Sequence, residues 1–380
     1  MENHRAPAAV GLNGMLAIPR QRLQSQQLVD TKLTQPGEVV RWLVAIQAQD
    51  YAGAKWSVGL RLPQSLERDV EQAIAEAKIL RTWAMRGTLH FVAPQDIRWL
   101  MELLAPRIIA GNARRYRELE LDDRTFGRSN AVIVEALAGG KRLDRPALVA
   151  ALEQAGIATV GQRTPYLLQR AALSRLICQG VMRGSHPTYF LLDELLPQAE
   201  ALPRQEALAE LALRYFTSRG PAAIEDFIWW SGLSATEAKA GLAAVKALLV
   251  KTAVAGQTYW LPPHSAEEIR PRAARLYLFP GFDEYLLSYQ DRSAVMDVKR
   301  LRALTPANGM LPPTIVWAGR VIGTWKRTFK KKGTVFISPK PYDPLNAAGK
   351  QALVAAAQRY GEFLGMSVEL DEHKFESDYH

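Results

Sequence analysis

Cysteine is almost missing from this sequence, and histidine is scarce. The 380 residues include one cysteine, Cys178, and six histidines. A single cysteine cannot form a disulfide within the chain or anchor a zinc cluster. This excludes the disulfide-rich secreted domains and the zinc-dependent deaminases that act on nucleobases. We therefore expect any reaction of this protein to need no metal and no other cofactor.

Long hydrophobic runs are missing as well. No stretch approaches the roughly 18 uninterrupted apolar residues that a membrane span needs. The segment MENHRAPAAVGLNGML lacks the order of charge, apolar run and cleavage site that marks a signal peptide. We therefore expect a cytoplasmic protein without a membrane partner.

Acidic residues are fewer than basic ones. The sequence has 38 Asp and Glu against 48 Lys and Arg, which gives a formal net charge of +10 and a pI near 9.6. This surplus favours a polyanionic partner, because binding releases the counterions of the polyanion, and nucleic acid is the first candidate. The alternative is a basic protein that binds no polyanion, since charge alone does not select a partner.

Length and composition predict several packed units. Hydrophobic residues make up 48% and charged residues 23%, which provides enough apolar mass to fold and excludes wholesale disorder. At about 100–200 residues per domain, two to four units are expected. The order of helices, strands and turns predicts an α+β fold with four units, bounded as 1–125, 126–200, 201–265 and 266–380.

The first predicted unit combines helices with one strand. Apolar residues at helical spacing predict a helix over PGEVVRWLVAIQAQ, which ends at Gln47 and Gln49. The segment LRTWAMRGTLHFV alternates in polarity, which predicts one strand with a bulge at Gly87. Its polar face would carry Arg86 and His90 towards DNA phosphates or a pocket. The alternative is a structural histidine and a surface ion pair.

The next two predicted units repeat a pattern of helices followed by two strands. In 126–200, three short helices precede a hairpin that turns at residues 184–187, which is the outline of a winged helix. In 201–265, Ser234 and Glu237 form a capping box that starts the second helix of a helix-turn-helix. The alternative is a pair of packed helices that never touches DNA.

Strands dominate after residue 266 and predict a small β-barrel followed by a helix. They cover ARLYLFPG, YLLSYQDRS and TIVWAGRVIGTWKRTFKKKGTVFISP. The last segment contains five cationic residues around its turn, namely Lys326, Arg327, Lys330, Lys331 and Lys332, and no acid interrupts them. We expect this hairpin tip to bind the phosphate backbone of DNA, and the alternative is a charged turn that faces solvent.

Several motifs of the chain, in order, resemble one family. They are IQAQD, LRTWAMRGTLHFV, LLQRAALSRLICQG, PTYFLLDELLP, RGPAAIEDFIWWSGLS, FPGFDEYLLSYQDRS and PPTIVWAGRVIGTWKR. Over nearly the whole chain, they resemble the bacterial winged-helix DNA glycosylases of the AlkZ/YcaQ kind. The resemblance implies three tandem winged-helix units and a small β-barrel around a DNA channel. We expect a monomer whose partner is double-stranded DNA carrying alkylated bases.

The resemblance also implies an activity and its residues. Members of that family excise N-alkylated purines and can unhook interstrand crosslinks. The motif of the crosslink-unhooking branch is Gln-x-Gln, which Gln47 and Gln49 match, so the resemblance assigns catalysis to these two residues. The other branch has Gln-x-Asp, and Asp50 lies one residue away from the position of that aspartate.

Amide side chains fit the hydrolysis of such a lesion. Alkylation at N3 or N7 leaves the purine positively charged, so the base departs without protonation and no general acid is needed. What remains is to hold a water beneath C1′ and to stabilise the oxocarbenium sugar. Gln47 and Gln49 would orient the water through their carbonyl oxygens. No lysine nucleophile is implied, so we expect a monofunctional glycosylase that leaves an abasic site.

Two other interpretations stay open. A winged-helix transcriptional regulator would bind DNA without altering it, and its glutamines would carry no chemistry. A carboxylate chemistry at Asp283 or Glu284 would replace the amides, although we expect both residues to fix the barrel against the winged helices. Several helix-turn-helix units in one chain, together with Gln47 and Gln49, favour the enzyme.

Overall fold

Two compact units make up the fold. The computed structural model describes residues 17–196, 202–263, 275–297, 299–300, 311–331 and 333–371. Within them the fold is α+β, as predicted. The first unit comprises residues 34–208 and 231–233, and the second comprises the described residues of 1–33, 209–230 and 234–380. This division is coarser than the four predicted units, whose boundaries stay predictions.

The helices and strands are numbered in chain order. The described helices are α1 (Ala17–Ser25), α2 (Pro36–Leu43), α3 (Tyr51–Leu60), α4 (Glu67–Ala75), α5 (Ile97–Gly111), α6 (Ala113–Glu118), α7 (Asp123–Leu137), α8 (Arg145–Gln154), α9 (Arg163–Leu173), α10 (Leu192–Leu195), α11 (Arg204–Arg219), α12 (Ile224–Ser231), α13 (Ala235–Val245), α14 (Glu284–Leu287) and α15 (Ala347–Leu364). The described strands are β1 (Ala45–Gln47), β2 (Leu80–Trp83), β3 (Leu89–Val92), β4 (Leu143–Asp144), β5 (Ile177–Arg183), β6 (His186–Leu191), β7 (Val250–Val254), β8 (Gln257–Leu261), β9 (Leu276–Phe279), β10 (Thr314–Trp317), β11 (Arg320–Lys330), β12 (Thr334–Pro341) and β13 (Ser367–Leu370).

A six-stranded sheet organises the first unit. Its strand order is β1-β3-β2-β5-β6-β4, and neighbouring strands are antiparallel. Gln47, at the end of β1, pairs with His90 of β3. Arg81 of β2 pairs with Gln179 of β5, so strands from the first two predicted units share one sheet.

The single strand predicted over LRTWAMRGTLHFV is wrong, because this segment is a hairpin. β2 and β3 pair around a 3₁₀ turn at Met85–Gly87. Arg86 and Gly87 have φ values of 55° and 76°, in the left-handed region, which interrupts the extended backbone. In the sequence, apolar residues stand at odd-numbered positions on both sides of the turn, as at Trp83 and Leu89, so the alternation continues across the turn and hides it. Arg86 and His90 therefore do not share one strand face.

The predicted succession of three helices and a hairpin between residues 126 and 200 is present. α7, α8 and α9 pack around a common apolar core, and β5 and β6 form a hairpin with Gly184 in its turn. The core residues on these helices include Ile133, Leu137, Leu148, Leu152, Leu167 and Leu168. In α7 and α8 successive buried residues are three or four positions apart, which places them on one face of each helix.

A helix, a short turn, a helix and a hairpin follow one another between residues 224 and 261. α12 and α13 flank a turn at Gly232, which has a φ of 72°, and β7 pairs with β8. The predicted capping box starts α13. The Ser234 hydroxyl accepts the N–H of Glu237 at 3.3 Å and donates to the Glu237 carboxylate at 2.7 Å. The local order of helix, turn, helix and hairpin therefore agrees with the sequence pattern, and the winged-helix unit stays a prediction.

The second unit contains a half-barrel of five strands. Its order is β13-β12-β11-β10-β9, and the predicted long hairpin corresponds to β11 and β12. Trp325 is 2% exposed, its indole N–H donates to the Phe279 carbonyl at 2.8 Å, and its ring meets that of Tyr360 on α15 edge-on. The predicted final helix thus covers this sheet.

The strand predicted over YLLSYQDRS is wrong. Asp283 caps a short helix there, because its carboxylate accepts the N–H of Tyr285 at 2.8 Å and its carbonyl accepts from Leu286 and Leu287. The Asp283 cap starts the short helix α14, and the apolar residues that follow do not by themselves indicate a helix.

Glu284 lies at the centre of a buried polar network in the second unit. Its side chain is fully buried and accepts from the Arg219 guanidinium at 2.9 Å and the Trp230 indole at 3.0 Å. The Ser288 hydroxyl donates to the same carboxylate at 2.6 Å. Arg219 also lies over the Trp230 ring, 4.2 Å from its centroid. This geometry favours a packing role for Glu284 over a catalytic one.

We expect Glu284→Ala to lower the free energy of unfolding by about 3–5 kcal/mol, because the variant leaves Arg219 buried without its charge partner. Denaturant titration followed by circular dichroism measures this. The control is Glu369→Ala, which removes one partner of an exposed ion pair and is expected to leave stability unchanged. Equal stability of the two variants would contradict the role given to Glu284.

Candidate active site

The motif from Gln47 to Gln49 lies in a short connection between a strand and a helix. The predicted helix that precedes it ends at Leu43, because Val44 has a left-handed φ of 62°. β1 then pairs with β3, which places Gln47 opposite His90. Strand pairing therefore fixes the motif at its first residue.

The residue after the motif fixes its other end. Asp50 is the N-cap of α3, and its carboxylate accepts the N–H of Gly53 at 3.0 Å. A carboxylate used in this way satisfies a backbone donor that the helix itself leaves without a partner. Asp50 thus has a structural task, which agrees with its position one residue away from the family aspartate.

The two glutamines differ in their surroundings. Gln47 is 8% exposed, and its side-chain Oε1 accepts the backbone N–H of Gln49 at 3.2 Å. Gln49 is exposed, and its Oε1 lies 3.5 Å from the backbone nitrogen of Leu89. Between them, the N–H of Ala48 donates to the Leu89 carbonyl at 2.7 Å. The Gln47 amide is therefore buried and held by a backbone N–H, whereas Gln49 is exposed and its Oε1 accepts a longer bond from the Leu89 N–H. That both amides meet one water stays a prediction.

Arg81 is a residue of this site that sequence reasoning missed. Its side chain is buried in β2, and both Nε and Nη2 donate to the Ala48 carbonyl, at 3.1 and 2.8 Å. Nη1 donates to the side-chain carbonyl of Gln179 at 2.9 Å. Burial lowers the pKa of the Arg81 guanidinium. A charged residue inside a largely buried strand was the available signal, but its partners are 33 and 98 residues away in the sequence.

A charged cluster on α3 and α4 borders the motif. The Tyr51 hydroxyl donates to the Glu71 carboxylate at 2.8 Å, and Lys55 bridges Glu71 and Glu67 at 2.6 and 2.8 Å. Burial, followed by the nearby Glu71 charge, raises the pKa of the Tyr51 phenol. Tyr51 is therefore a neutral donor at physiological pH, and the cluster ties α3 to α4.

Arg86 and His90 occupy different environments. His90 is fully buried, and its Nδ1 lies 2.9 Å from the Thr88 carbonyl, which favours the structural alternative. Arg86 is half-buried in the 3₁₀ turn. The Gly87 carbonyl in this turn accepts from Gln169 at 3.1 Å. DNA contact by Arg86 and His90 stays a prediction.

The basic cluster lies at the tip of the β11–β12 hairpin. Lys326, Lys330 and Lys331 are exposed, and Lys332 lies outside the described residues. Arg327 is half-buried, because its guanidinium donates to the Tyr360 hydroxyl at 2.5 Å. The described cationic side chains of this cluster therefore differ in their solvent exposure.

An acid reaches this tip from a distant part of the chain. Glu369 of β13 pairs with Lys330 at 2.5 Å, and both side chains are about half exposed. The local sequence shows no acid, but the parallel pairing of β12 with β13 brings this one alongside. Phe329 is 54% exposed beside these charges. One of the predicted phosphate contacts therefore competes with an internal ion pair.

Neither a metal-binding cluster nor an exposed thiol is found among the described residues. No group of three or more His, Cys, Asp or Glu is placed there to hold a metal ion. Cys178 is buried, and burial raises the pKa of its thiol, so the thiol stays protonated and is a poor nucleophile.

Among the helices that the structure describes, none is both long enough and apolar enough to cross a membrane.

Comparison with known proteins identifies the class. The family model of the DNA glycosylase AlkZ-like family matches residues 40–363, which include the motif, its supporting residues and the basic hairpin. The match covers most of the chain, and this protein is a DNA glycosylase. It belongs to the AlkZ-like family of these enzymes. Membership of this family does not favour the alternative function, which is that of a winged-helix transcriptional regulator.

Two further comparisons give a similar sequence and a similar fold. An interstrand DNA cross-link repair glycosylase from Streptomyces sahachiroi is 26% identical over 321 residues, which are 80% of this chain and 85% of that protein. The solved structure of the Streptomyces sahachiroi DNA glycosylase AlkZ matches with a TM-score of 0.76 at 23% identity. That match covers 94% of this chain and 99% of the other, so the two proteins share a fold.

The basic hairpin gives a prediction about salt dependence. Each Lys or Arg that neutralises a phosphate contributes about 0.9 to the slope of log affinity against log salt. We expect replacement of Lys330, Lys331 and Lys332 by Ala to flatten this slope by up to roughly two to three, equally for damaged and undamaged duplexes. Fluorescence anisotropy at several salt concentrations measures it.

Two further variants sharpen this test. Glu369→Gln removes the acid that pairs with Lys330, so we expect it to tighten DNA binding. Lys340→Ala is the matched control, because Lys340 is an exposed lysine of β12 beyond the tip and is expected to leave the slope unchanged. An unchanged slope in the triple variant would show that the tip faces solvent.

Proposed function

We propose that this DNA glycosylase hydrolyses the N-glycosidic bond of purines alkylated at N7 or N3, and that Gln47 and Gln49 carry the reaction. The observation that supports this most is the placement of the two amides on a connection that is held at both ends. A fixed connection lowers the reorganisation that the transition state requires.

The proposed reaction uses the charge of the lesion. The C1′–N9 bond breaks and its electron pair neutralises the cationic base, so no residue protonates the leaving group. A bond forms between the water oxygen and C1′, and the water loses a proton to solvent. The amide oxygens of Gln47 and Gln49 orient the water and stabilise the positive sugar. No lysine attacks C1′, so the product is an abasic site on an intact strand.

We include interstrand crosslinks among the proposed substrates. The Streptomyces sahachiroi relative is an interstrand DNA cross-link repair glycosylase, and Gln47 and Gln49 of this chain resemble the Gln-x-Gln motif of the crosslink-unhooking branch. A crosslink joined through alkylated purine nitrogens has the same cationic leaving group at each attachment. Hydrolysis at one attachment would release one strand from the other.

The proposed DNA-binding architecture is three tandem winged-helix units followed by a small β-barrel, with boundaries near residues 125, 200 and 265. Two segments support it, because α7 to α9 precede the β5–β6 hairpin and α11 to α13 precede the β7–β8 hairpin. In this arrangement a monomer binds the duplex, and the hairpin tip at Lys326 to Lys331 grips phosphates.

We expect Gln47→Ala and Gln49→Ala each to slow base excision by about 100-fold or more, since each removes an oriented dipole from the transition state. DNA affinity is expected to stay unchanged, because neither residue is a phosphate contact. The assay measures free N7-methylguanine released from a duplex in excess EDTA, under single-turnover conditions.

A matched control and two readouts complete this experiment. Gln72→Ala removes an exposed glutamine of α4 that bonds only Glu76 among the residues described, and we expect full activity. The reacted strand is expected to break only after alkali treatment. No base release by the unaltered protein, or binding that falls in parallel with the rate, would overturn the assignment.

A further inference from the structure

We infer that Arg81 is a positioning residue for Gln47, and that it acts through the peptide group between Ala48 and Gln49. This inference rests on the proposed function, because it assumes that the Gln47 amide carries the reaction. Arg81 itself lies on β2, which β3 separates from β1 in the sheet, and its side chain reaches the Ala48 carbonyl.

The contact of Arg81 with the motif is directional. Two N–H groups of the guanidinium, on Nε and Nη2, converge on the Ala48 carbonyl at 3.1 and 2.8 Å. A guanidinium is planar and presents its donors in a fixed fork, so two bonds to one oxygen define the direction of that carbonyl. The side chain is 5% exposed, so water does not compete for these bonds.

The same peptide group holds the side chain of Gln47. The Ala48 carbonyl and the Gln49 N–H belong to one planar unit, so fixing one fixes the other. The Gln49 N–H donates to Gln47 Oε1 at 3.2 Å. A cation bonded to the carbonyl polarises the peptide and strengthens its N–H as a donor. Arg81 therefore sets both the direction and the strength of the bond that orients the Gln47 amide.

The far end of the guanidinium is anchored in β5. Nη1 donates to the Gln179 side-chain carbonyl at 2.9 Å, and Gln179 in turn donates to the Tyr189 hydroxyl at 3.3 Å. These acceptors and the Ala48 carbonyl are neutral. Burying a cation against neutral acceptors is costly, and burial lowers the pKa of Arg81 accordingly. Orientation of the motif explains a cation buried at this cost better than stability does.

The test compares variants of the full-length protein on a duplex with one N7-methylguanine. We expect Arg81→Met to lower the single-turnover excision rate at saturating enzyme by about 100-fold, as a misplaced catalytic group does, with the DNA dissociation constant unchanged. Arg81→Lys is expected to lose less, because an ammonium still donates to the Ala48 carbonyl but cannot also span to Gln179.

The matched control is another buried arginine of the same unit. Arg61 is fully buried and bonds the Ser57 carbonyl at 2.8 Å, away from the motif. Arg61→Met is expected to lower the thermal midpoint without changing the excision rate well below that midpoint. A rate loss in Arg61→Met as large as in Arg81→Met would overturn the positioning role, because it would make the loss a general effect of removing a buried charge.

A double variant separates positioning through Gln47 from any other effect. In a Gln47→Ala background, Arg81→Met is expected to cause no further loss of rate, since the group that Arg81 orients is already absent. A further loss equal to that in the unaltered protein would contradict the inference. If Arg81→Met does not fold, Arg81→Lys and Gln179→Met carry the test, and wild-type rates in both would also contradict it.

The outcomes distinguish failure of the proposed function from failure of the positioning role of Arg81. The proposed function fails if the unaltered protein releases no N7-methylguanine. It also fails if the Gln47→Ala variant excises the base as fast as the unaltered protein. If Gln47→Ala is slow while Arg81→Met and Arg81→Lys keep the wild-type rate, the proposed function stands and the role of Arg81 fails.

Discussion

The peptide group between Ala48 and Gln49 is the constraint on which the candidate site depends. Its carbonyl accepts two bonds from buried Arg81, and its N–H holds the Gln47 side chain. Strand pairing before it and the Asp50 cap after it leave the backbone little freedom. A site fixed in this way before DNA arrives spends little of its binding energy on ordering itself. This suits a reaction in which positioning supplies most of the catalysis.

Buried charge has different consequences in the two units. In the second unit, Arg219 and Glu284 neutralise each other and are surrounded by further donors, so the pair supports packing. In the first unit, Arg81 bonds neutral carbonyls, so its charge is not cancelled by a bonded acid. Removing one partner of a buried ion pair destabilises the fold, because the other charge stays buried without a partner. A buried charge that bonds neutral groups instead polarises those groups.

The sequence predicted several elements with local causes, although not the reversal at Arg86 or the cap at Asp283, and it missed the contacts between distant strands. Capping at Ser234 and the basic hairpin depend on neighbouring residues and were predicted correctly. The reversal at Arg86 was missed, because the apolar residues of the sequence keep the same alternation on both sides of it. The roles of Arg81 and Glu369 depend on strands that meet only in the fold, so no local pattern indicates them. Gln47 and Gln49 were singled out through a family resemblance, and their catalytic role stays a prediction.

The central claim is that the charge of the lesion, and not a proton from the protein, drives departure of the base. The most direct measurement compares two duplexes that differ at one atom of one base, N7-methylguanine and its neutral isostere 7-methyl-7-deazaguanine. Their single-turnover excision rates are measured at saturating enzyme. The account predicts release of the cationic base and no detectable release of the neutral one. Comparable rates for both bases would contradict it, because the neutral base cannot depart without a general acid.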